Sequence, residues 1–174
     1  GKHNYNNVAA TIAISKFYEI DTKIIIEEVK KFKPLPHRLE FIVNLKGTSV
    51  YNDSKATNIK SMIAGIEAFD KNIFLIIGGL DKGNSDFLSA LERVKNKINH
   101  VTCYGESGKL IFNKIKDKIN SSYQNFFSDA VKNSVSNLRG IDVLLLSPGC
   151  ASYDQFDSYI ERGNKFKEII FGLT

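Results

Sequence analysis

Residues 73–79 read Ile-Phe-Leu-Ile-Ile-Gly-Gly, and this stretch decides the fold of the chain. Five consecutive apolar residues ended by two glycines predict a strand that is buried on both faces, as is typical of parallel sheets. A second apolar run at residues 143–146, Val-Leu-Leu-Leu, is ended by Ser-Pro-Gly at residues 147–149. Two such strands predict a sheet that is covered by helices on both sides.

Strand and helix patterns alternate along the chain around these two runs. The predicted strands cover residues 39–45, 48–51, 73–77, 100–104, 123–127 and 143–146. The predicted helices cover residues 6–18, 22–32, 58–69, 85–98, 107–119, 129–138 and 156–170. This repetition predicts an α/β fold with a doubly wound, mostly parallel sheet. Its first two strands are expected to form an antiparallel N-terminal hairpin that turns at Lys46 and Gly47.

A domain boundary is predicted near residue 34. Residues 33–36, Lys-Pro-Leu-Pro, interrupt the helical pattern because proline has no amide hydrogen and restricts the residue before it. Residues 1–34 and residues 35–174 are therefore expected to belong to different domains.

Composition excludes several classes of protein. The chain has 174 residues and a net charge of +5, and its lysines are scattered rather than arranged in a basic stripe with aromatic residues, so no nucleic-acid partner is expected. No apolar run approaches the ~20 residues that a membrane helix needs, and no membrane partner is expected. The two cysteines, Cys103 and Cys150, are far apart, which favours a reducing, cytoplasmic location over a disulfide framework or a zinc site.

Polar residues cluster where three of the predicted strands end, at residues 52–58, 78–83 and 147–156. For any one of these segments, an ordinary turn in which Ser152 or Asp154 caps a helix would be the simpler interpretation. The carboxyl ends of parallel strands meet at one edge of a sheet, and open α/β sheets bind ligands there. Three polar segments at that edge therefore predict a ligand site.

Other patterns in the chain favour structural interpretations. Residues 105–110, Gly-Glu-Ser-Gly-Lys-Leu, lack the Walker spacing and predict a turn followed by a helix. Cys150 follows a strand as a nucleophile could, but no histidine follows it in the chain, so a buried thiol is favoured. Taken alone, Asn4 would cap a helix and Arg38 would form a surface pair with Glu40.

A resemblance to a known family rests on five segments, taken in order: His3-Asn-x-x-Asn7, Leu35-Pro-His-Arg38, Asn52-Asp-Ser-Lys-Ala-Thr-Asn58, Gly78-Gly-x-Asp-Lys-Gly83, and Ser147-Pro-Gly-Cys-Ala-Ser-Tyr-Asp-Gln-Phe156 followed by Arg162-Gly163. These segments resemble the C-terminal part of the Mur ligases, the ATP-dependent amide ligases of bacterial peptidoglycan synthesis. Ligases of the family that add other amino acids differ at Asp-Ser-Lys-Ala-Thr-Asn, so the resemblance is to the branch that adds D-glutamate.

The resemblance implies a domain assignment. Residues 1–34 would be the last helices of a central ATPase domain, and residues 35–174 the Rossmann-like C-terminal domain that binds the amino acid. The partners would be the missing N-terminal and central domains of the same chain, and a monomer is expected. Magnesium would be held mostly by the missing central domain, so no metal ligand is expected here. The fragment alone would not catalyse ligation.

The implied reaction begins with ATP phosphorylating the carboxylate of UDP-N-acetylmuramoyl-L-alanine to an acyl phosphate, which the amine of D-glutamate then attacks. The resemblance implies contacts with ATP for four residues: Asn4, Asn7, Arg38 and Asp53. The two amides would face the adenine, Asp53 the ribose hydroxyls, and Arg38 would stack or pair near the nucleotide.

The resemblance implies contacts with D-glutamate for six residues: Lys55, Thr57, Lys82, Ser152, Tyr153 and Tyr159. Lys55 would also lie by the γ-phosphate and act as the catalytic residue. The side chains of Thr57, Lys82 and Ser152 would bind the carboxylates, and the other two residues would contribute backbone amides. Relatives commonly have Leu and Phe at positions 153 and 159, so only backbone contacts are carried over there.

Two other classes of protein stay open from the sequence. One is the C-terminal domain of a related amide ligase with another amino acid, such as a folylpolyglutamate-type enzyme. The other is a stand-alone flavodoxin-like binding module without a catalytic partner.

Overall fold

The computed structural model describes residues 2–32, 35–70, 72–83 and 85–173, and within the first range the side chains of residue 5 and of residues 7–32. The chain forms two compact units, Gly1–Leu35 and Pro36–Thr174. The division lies one residue from the boundary that the two prolines predict. The assignment of these units to particular enzyme domains stays a prediction.

The first unit consists of two helices, α1 (Lys2–Phe17) and α2 (Thr22–Lys31). The side chain of Asp21 accepts a hydrogen bond from the Lys23 amide and so caps the start of α2. Ile25 is buried, whereas Phe17 is 82% exposed. The two helices therefore leave much of their apolar surface uncovered.

The second unit is built on a six-stranded sheet in the order β1-β2-β6-β3-β4-β5. The strands are β1 (Glu40–Leu45), β2 (Thr48–Asn52), β3 (Ile73–Gly78), β4 (Ile98–Tyr104), β5 (Ser121–Gln124) and β6 (Val143–Gly149). The first pair is antiparallel and all other pairs are parallel, which confirms the predicted fold class. The hairpin turn is also confirmed, with φ of 52° at Lys46 and 90° at Gly47.

Helices cover both faces of the sheet, and their bounds are α3 (Ile59–Glu67), α4 (Phe87–Glu92), α5 (Gly105–Ile115), α6 (Phe127–Ser136) and α7 (Tyr159–Gly172). Leu75 and Ile77 of β3 pack in one core with α3, α4 and α5. Phe74 and Ile76 pack in a second core with α6 and α7. Successive side chains of a strand point to opposite faces, so the unbroken apolar run of β3 fills both cores.

Several predicted element bounds are wrong. The helix predicted through residue 98 ends at Glu92, because Ile98 pairs with Ile73 in the sheet. The strand predicted at 123–127 is Ser121–Gln124, and Phe127 instead begins α6, where its amide donates to Oε1 of Gln155. The last helix begins at Tyr159 rather than near residue 156.

Among the described residues, no helix combines the length and apolar character that crossing a membrane requires.

Candidate functional site

Three loops meet at the edge of the sheet where β2, β3 and β6 end. We name them the β2 loop (residues 52–58), the β3 loop (78–83) and the β6 loop (147–156). The Gly149 amide donates to Ala56 O at 2.8 Å, which joins the β2 and β6 loops. Leu80 and Ala151 exchange two backbone hydrogen bonds, which join the β3 and β6 loops. The structure therefore brings together the segments that the sequence placed at this edge.

The β3 loop requires glycine at its start. Gly78 and Gly79 have φ values of 136° and 118°, a region that residues with a Cβ atom rarely adopt. A Cβ atom on Gly78 would lie 2.0 Å from Tyr104 O, and one on Gly79 would lie 2.2 Å from Ala151 O. The two glycines let the β3 loop pass directly against its neighbours.

Four predicted ligand groups share one property at this edge: their side-chain polar atoms form no hydrogen bond with any residue that the structure describes. These groups belong to Lys55, Thr57, Lys82 and Ser152. Ser152 is only 3% exposed, so its hydroxyl is closely surrounded by protein, whereas Lys82 is exposed. Polar atoms without protein partners at a loop edge are available to a ligand.

Each of the two lysines lies near an aromatic ring. The Nζ atom of Lys55 is 3.9 Å from the ring centroid of Tyr159, and that of Lys82 is 5.6 Å from the ring centroid of Tyr153. The amide of Lys55 also donates to His37 O at 3.0 Å. A cation over the face of a ring is attracted by its quadrupole, so Tyr159 restrains the head of Lys55.

Asp53 is buried and, unlike the four groups above, both of its carboxylate oxygens accept hydrogen bonds from the protein. Its Oδ2 accepts from Ser147 Oγ at 2.8 Å and its Oδ1 from the Leu39 amide at 3.2 Å, and it is only 7% exposed. Burial raises the pKa of this carboxyl to about 6, although both hydrogen bonds and the charge of Arg38 oppose the rise. In this arrangement Asp53 joins the start of β1 to β6.

Of the remaining predicted ATP contacts, Arg38 belongs to the second unit, and Asn4 and Asn7 belong to the first. Arg38 is exposed, and the pair with Glu40 that the sequence alone would favour is absent from the ion pairs of the described residues. Glu40 instead accepts from the His37 amide and pairs with Lys167 at 3.2 Å. Asn7 is exposed in the first unit, and the side chain of Asn4 is not among those that the structure describes.

A buried polar layer lies beneath the loops, and the sequence did not assign it a role. Asn52 Nδ2 lies 3.0 Å from His37 Nδ1 and donates to Gly163 O at 3.1 Å. Burial, and then the charge of Lys167, lower the pKa of His37, and the charge of Glu40 opposes them; this shift favours the neutral ring, in which one nitrogen can accept. Arg162, fully buried, donates to Ser54. These residues all fall within the five family segments, which was the one signal that could have found them.

The structural interpretations of Cys150 and of residues 105–110 are confirmed. Cys150 is buried, and burial raises the pKa of its thiol to about 12, so the thiolate that a nucleophile needs is not formed near neutral pH. Residues 105–110 begin α5, and Asp154 Oδ2 accepts from the Glu106 amide at 3.1 Å. A carboxylate therefore occupies the position at this helix start where a phosphate would have to bind.

The family model described as "Mur ligase, glutamate ligase domain" matches residues 37–150. The chain belongs to the Mur ligase family. The match includes the β2 and β3 loops and the first part of the β6 loop. Ser152 and the two tyrosines at positions 153 and 159 lie beyond it, within the span that the chain shares with individual Mur ligases.

Two relatives are both named UDP-N-acetylmuramoylalanine–D-glutamate ligase. The one from Lachnospira eligens is 40% identical over 175 residues, which is 99% of this chain and 39% of the relative. The one from Bdellovibrio bacteriovorus is 36% identical over 170 residues, which is 98% of this chain and 37% of the relative. The chain thus spans well under half the length of the curated Mur ligases it matches.

Solved structures share the fold at low sequence identity. A Mycobacterium tuberculosis folylpolyglutamate synthase complexed with ADP has a TM-score of 0.69 and 14% identity, covering 97% of this chain and 40% of that chain. MurF from Acinetobacter baumannii has a TM-score of 0.68 and 11% identity, covering 97% of this chain and 38% of that chain. At such identities the likeness establishes the Mur ligase fold and no more.

Proposed function

We propose that this chain is the amino-acid-binding part of an ATP-dependent ligase that joins D-glutamate to UDP-N-acetylmuramoyl-L-alanine. One observation carries the proposal: two ammonium groups and two hydroxyls without hydrogen-bond partners among the described residues lie on three loops that are bonded to one another at a single sheet edge. The names of relatives that are 36–40% identical over nearly the whole chain support the choice of D-glutamate.

The chemistry of these groups suits a dicarboxylic amino acid. Glutamate carries two carboxylates and one amine, so a site for it needs cations and hydrogen-bond donors. Lys82 offers a point charge on a flexible stem, and the Ser152 hydroxyl offers a donor that burial holds in one place. Thr57 adds a second hydroxyl beside Lys55. Such a site would fix the amino acid with its amine toward the acyl phosphate.

Lys55 is proposed as the catalytic residue because both its backbone and the end of its side chain are held in place. Its amide is bonded to His37 O and its Nζ lies over the Tyr159 ring. Phosphoryl transfer and the attack of the amine both place negative charge on oxygen atoms in the transition state. A lysine that is already positioned stabilises that charge without having to reorganise.

ATP is proposed as the second substrate, with Arg38 and Asp53 of the second unit, and Asn4 and Asn7 of the first, as its contacts. The M. tuberculosis folylpolyglutamate synthase of the same fold was solved in complex with ADP, which supports nucleotide use by this fold. Arg38 is exposed and can reach a nucleotide, whereas Asp53 presents little free surface. Asp53→Ala should weaken ATP more than D-glutamate in steady-state kinetics, and the opposite order would remove the ribose assignment.

Magnesium is proposed to bind outside this chain. The described residues contain no group of three His, Cys, Asp or Glu side chains that could hold a metal ion. The expectation that the magnesium ligands lie mostly in a central domain outside this chain stays a proposal, and no step of the reaction is assigned to a metal here.

The first unit is proposed to be the end of a preceding ATPase domain. Isolated helices shorter than about 15 residues are marginal in water, and most need a packed apolar face. Large apolar side chains are instead exposed along the two helices and on the residues that join and follow them: Tyr5, Ile12, Ile14, Phe17, Tyr18, Ile20, Ile24, Ile26 and Phe32. A preceding domain in the full-length protein would cover this surface.

The test is amino-acid specificity in the full-length protein. Phosphate release would be measured with UDP-N-acetylmuramoyl-L-alanine, ATP and either D-glutamate, L-glutamate or L-alanine. We expect turnover with D-glutamate alone. Preference for L-alanine would defeat the proposal, and preference for L-glutamate with a folate acceptor would assign the chain to a folylpolyglutamate-type enzyme instead.

A further inference from the structure

Arg162 is a fully buried arginine whose hydrogen-bond acceptors are all neutral. Its Nε donates to Ser54 Oγ at 2.9 Å and its Nη2 to Ser54 O at 2.8 Å. Its Nη1 donates to Tyr104 Oη at 3.2 Å and to Cys150 O at 3.1 Å. The guanidinium is well bonded, but these hydroxyl and carbonyl oxygens carry no net charge.

No carboxylate among the described residues forms an ion pair with this guanidinium. Two carboxylates influence the same region: the charges of Asp81 and Asp154 raise the pKa of the Cys150 thiol, and the charge of Arg162 lowers it. Neither is bonded to Arg162: Asp81 accepts from the amide and hydroxyl of Ser85, and Oδ2 of Asp154 accepts from the Glu106 amide, while Oδ1 of Asp154 is buried without a hydrogen-bond partner among the described residues. A buried charge without an ionic partner is costly, so its retention calls for an explanation.

The guanidinium lies behind all three loops of the candidate site. Ser54 directly precedes Lys55 in the β2 loop, and Cys150 lies two residues before Ser152 in the β6 loop. In the β3 loop, a Cβ atom on Gly79 would lie 3.2 Å from Nη1 of Arg162. One cation therefore adjoins each loop that presents a group to the proposed amino acid.

We propose that Arg162 is a positioning residue whose unneutralised charge helps to hold the anionic amino acid. It joins the β2 and β6 loops through neutral acceptors, adjoins the β3 loop and forms no ion pair among the described residues, so part of its positive field reaches the ligand edge. There the carboxylates of the substrate act as its missing counter-charge. This inference rests on the proposed function and adds a residue that does not itself touch the substrate.

The experiment compares Arg162→Met with Arg162→Lys in the full-length enzyme. The exposed Arg139, which lies before β6 at the opposite edge of the sheet, gives the matched control Arg139→Met. KM would be measured for D-glutamate and for ATP, together with the inhibition constant of D-glutamine. D-Glutamine has nearly the same shape as D-glutamate but no net charge.

We expect Arg162→Met to raise the KM for D-glutamate by about tenfold or more, because the substrate loses the attraction of a nearby charge in a partly desolvated site. The KM for ATP and the inhibition constant of D-glutamine should each change less than about threefold. Arg162→Lys keeps the charge but not the planar fork of donors, so it should raise the KM for D-glutamate by a smaller factor than Arg162→Met and should keep the preference for D-glutamate over D-glutamine. A purely structural role would instead weaken D-glutamate and D-glutamine by the same factor, and that result would overturn the proposal.

Arg162→Lys decides the matter if Arg162→Met does not fold. If the folded lysine variant keeps the preference for D-glutamate over D-glutamine, the role of charge is supported; loss of the preference overturns it. Failure of the proposed function would be visible in the unsubstituted enzyme, which would then not consume D-glutamate at all. Failure of the Arg162 proposal would be visible only in the variants.

Discussion

The Nζ atom of Lys55 lies 3.9 Å from the centroid of the Tyr159 ring. Tyr159 itself is held in place, because its backbone carbonyl accepts a hydrogen bond from Ser54 Oγ. Its ring also packs edge-on against the ring of His37, with 6.2 Å between the two ring centroids. The two residues are far apart in the chain, yet together they fix where the proposed catalytic cation lies.

The first prediction is that the ring of Tyr159, and not its hydroxyl, matters for activity. Tyr159→Phe keeps the ring and should leave kcat/KM within about twofold, whereas Tyr159→Leu should lower it by about 3- to 30-fold, the range of cation–π energies. Steady-state kinetics of the full-length enzyme would measure both. Equal activity of the leucine variant and the unsubstituted enzyme would show that the contact does not position Lys55.

The second prediction concerns Lys82. If its ammonium binds a carboxylate of D-glutamate, Lys82→Ala should raise the KM for D-glutamate by about 10- to 100-fold, since hydrogen bonds to charged groups contribute about 1.5–3 kcal/mol. Lys116→Ala is the matched control, because Lys116 is also exposed but follows the carboxyl end of α5. An unchanged KM in the first variant would remove Lys82 from the site.

The third prediction is a pH dependence of stability that originates at Asp53. Its folded-state pKa of about 6 lies above the ordinary value of 3.8, so the stability contributed by the protonated form is fully present below pH 3.8 and lost as pH rises through about 6. Asp53→Asn cannot ionise. The free energy of unfolding of this variant, relative to the unsubstituted chain, should therefore rise by about 2–3 kcal/mol between pH 4 and 7.

Urea denaturation of both chains at several pH values would measure that difference. The exposed Asp117 offers the control substitution Asp117→Asn. If the difference between the Asp53 variant and the unsubstituted chain were the same at pH 4 and at pH 7, burial would not control the ionisation of Asp53.

The fourth prediction uses two glycines of α7. A Cβ atom on Gly163 would lie 2.2 Å from Nδ1 of His37, whose ring is buried and bonded to Asn52. Gly172 has no neighbour within 4 Å of such an atom. Gly163→Ala should therefore lower the free energy of unfolding by about 1–3 kcal/mol through overpacking, whereas Gly172→Ala should be neutral or slightly stabilising. Similar stabilities of the two variants would contradict the close packing of α7 on His37.

The architecture of the sheet followed from local sequence because β3 must fill two cores at once. Only a strand with helices on both faces accommodates five consecutive apolar residues, and the alternation of elements then leaves few topologies. The bounds of α4 and β5 were harder to predict. Ile98 belongs to a strand because of its partner Ile73, and Phe127 begins a helix because Gln155 accepts from its amide. Neither partner is visible in a local pattern.

The sequence by itself determined that polar loops would meet at the carboxyl edge of a parallel sheet, because the direction of each strand follows from the repeating pattern. Only the tertiary structure decided which residues of those loops face outward. Lys55 and Asp53 are two positions apart, yet the ammonium of Lys55 lies over the Tyr159 ring without a hydrogen-bond partner among the described residues, whereas Asp53 is buried and bonded to Ser147. Arg162 is buried because its acceptors at Ser54 and Cys150 come from other loops. Burial and hydrogen bonding depend on partners that only folding brings together, and so does the charge that each group presents to a ligand.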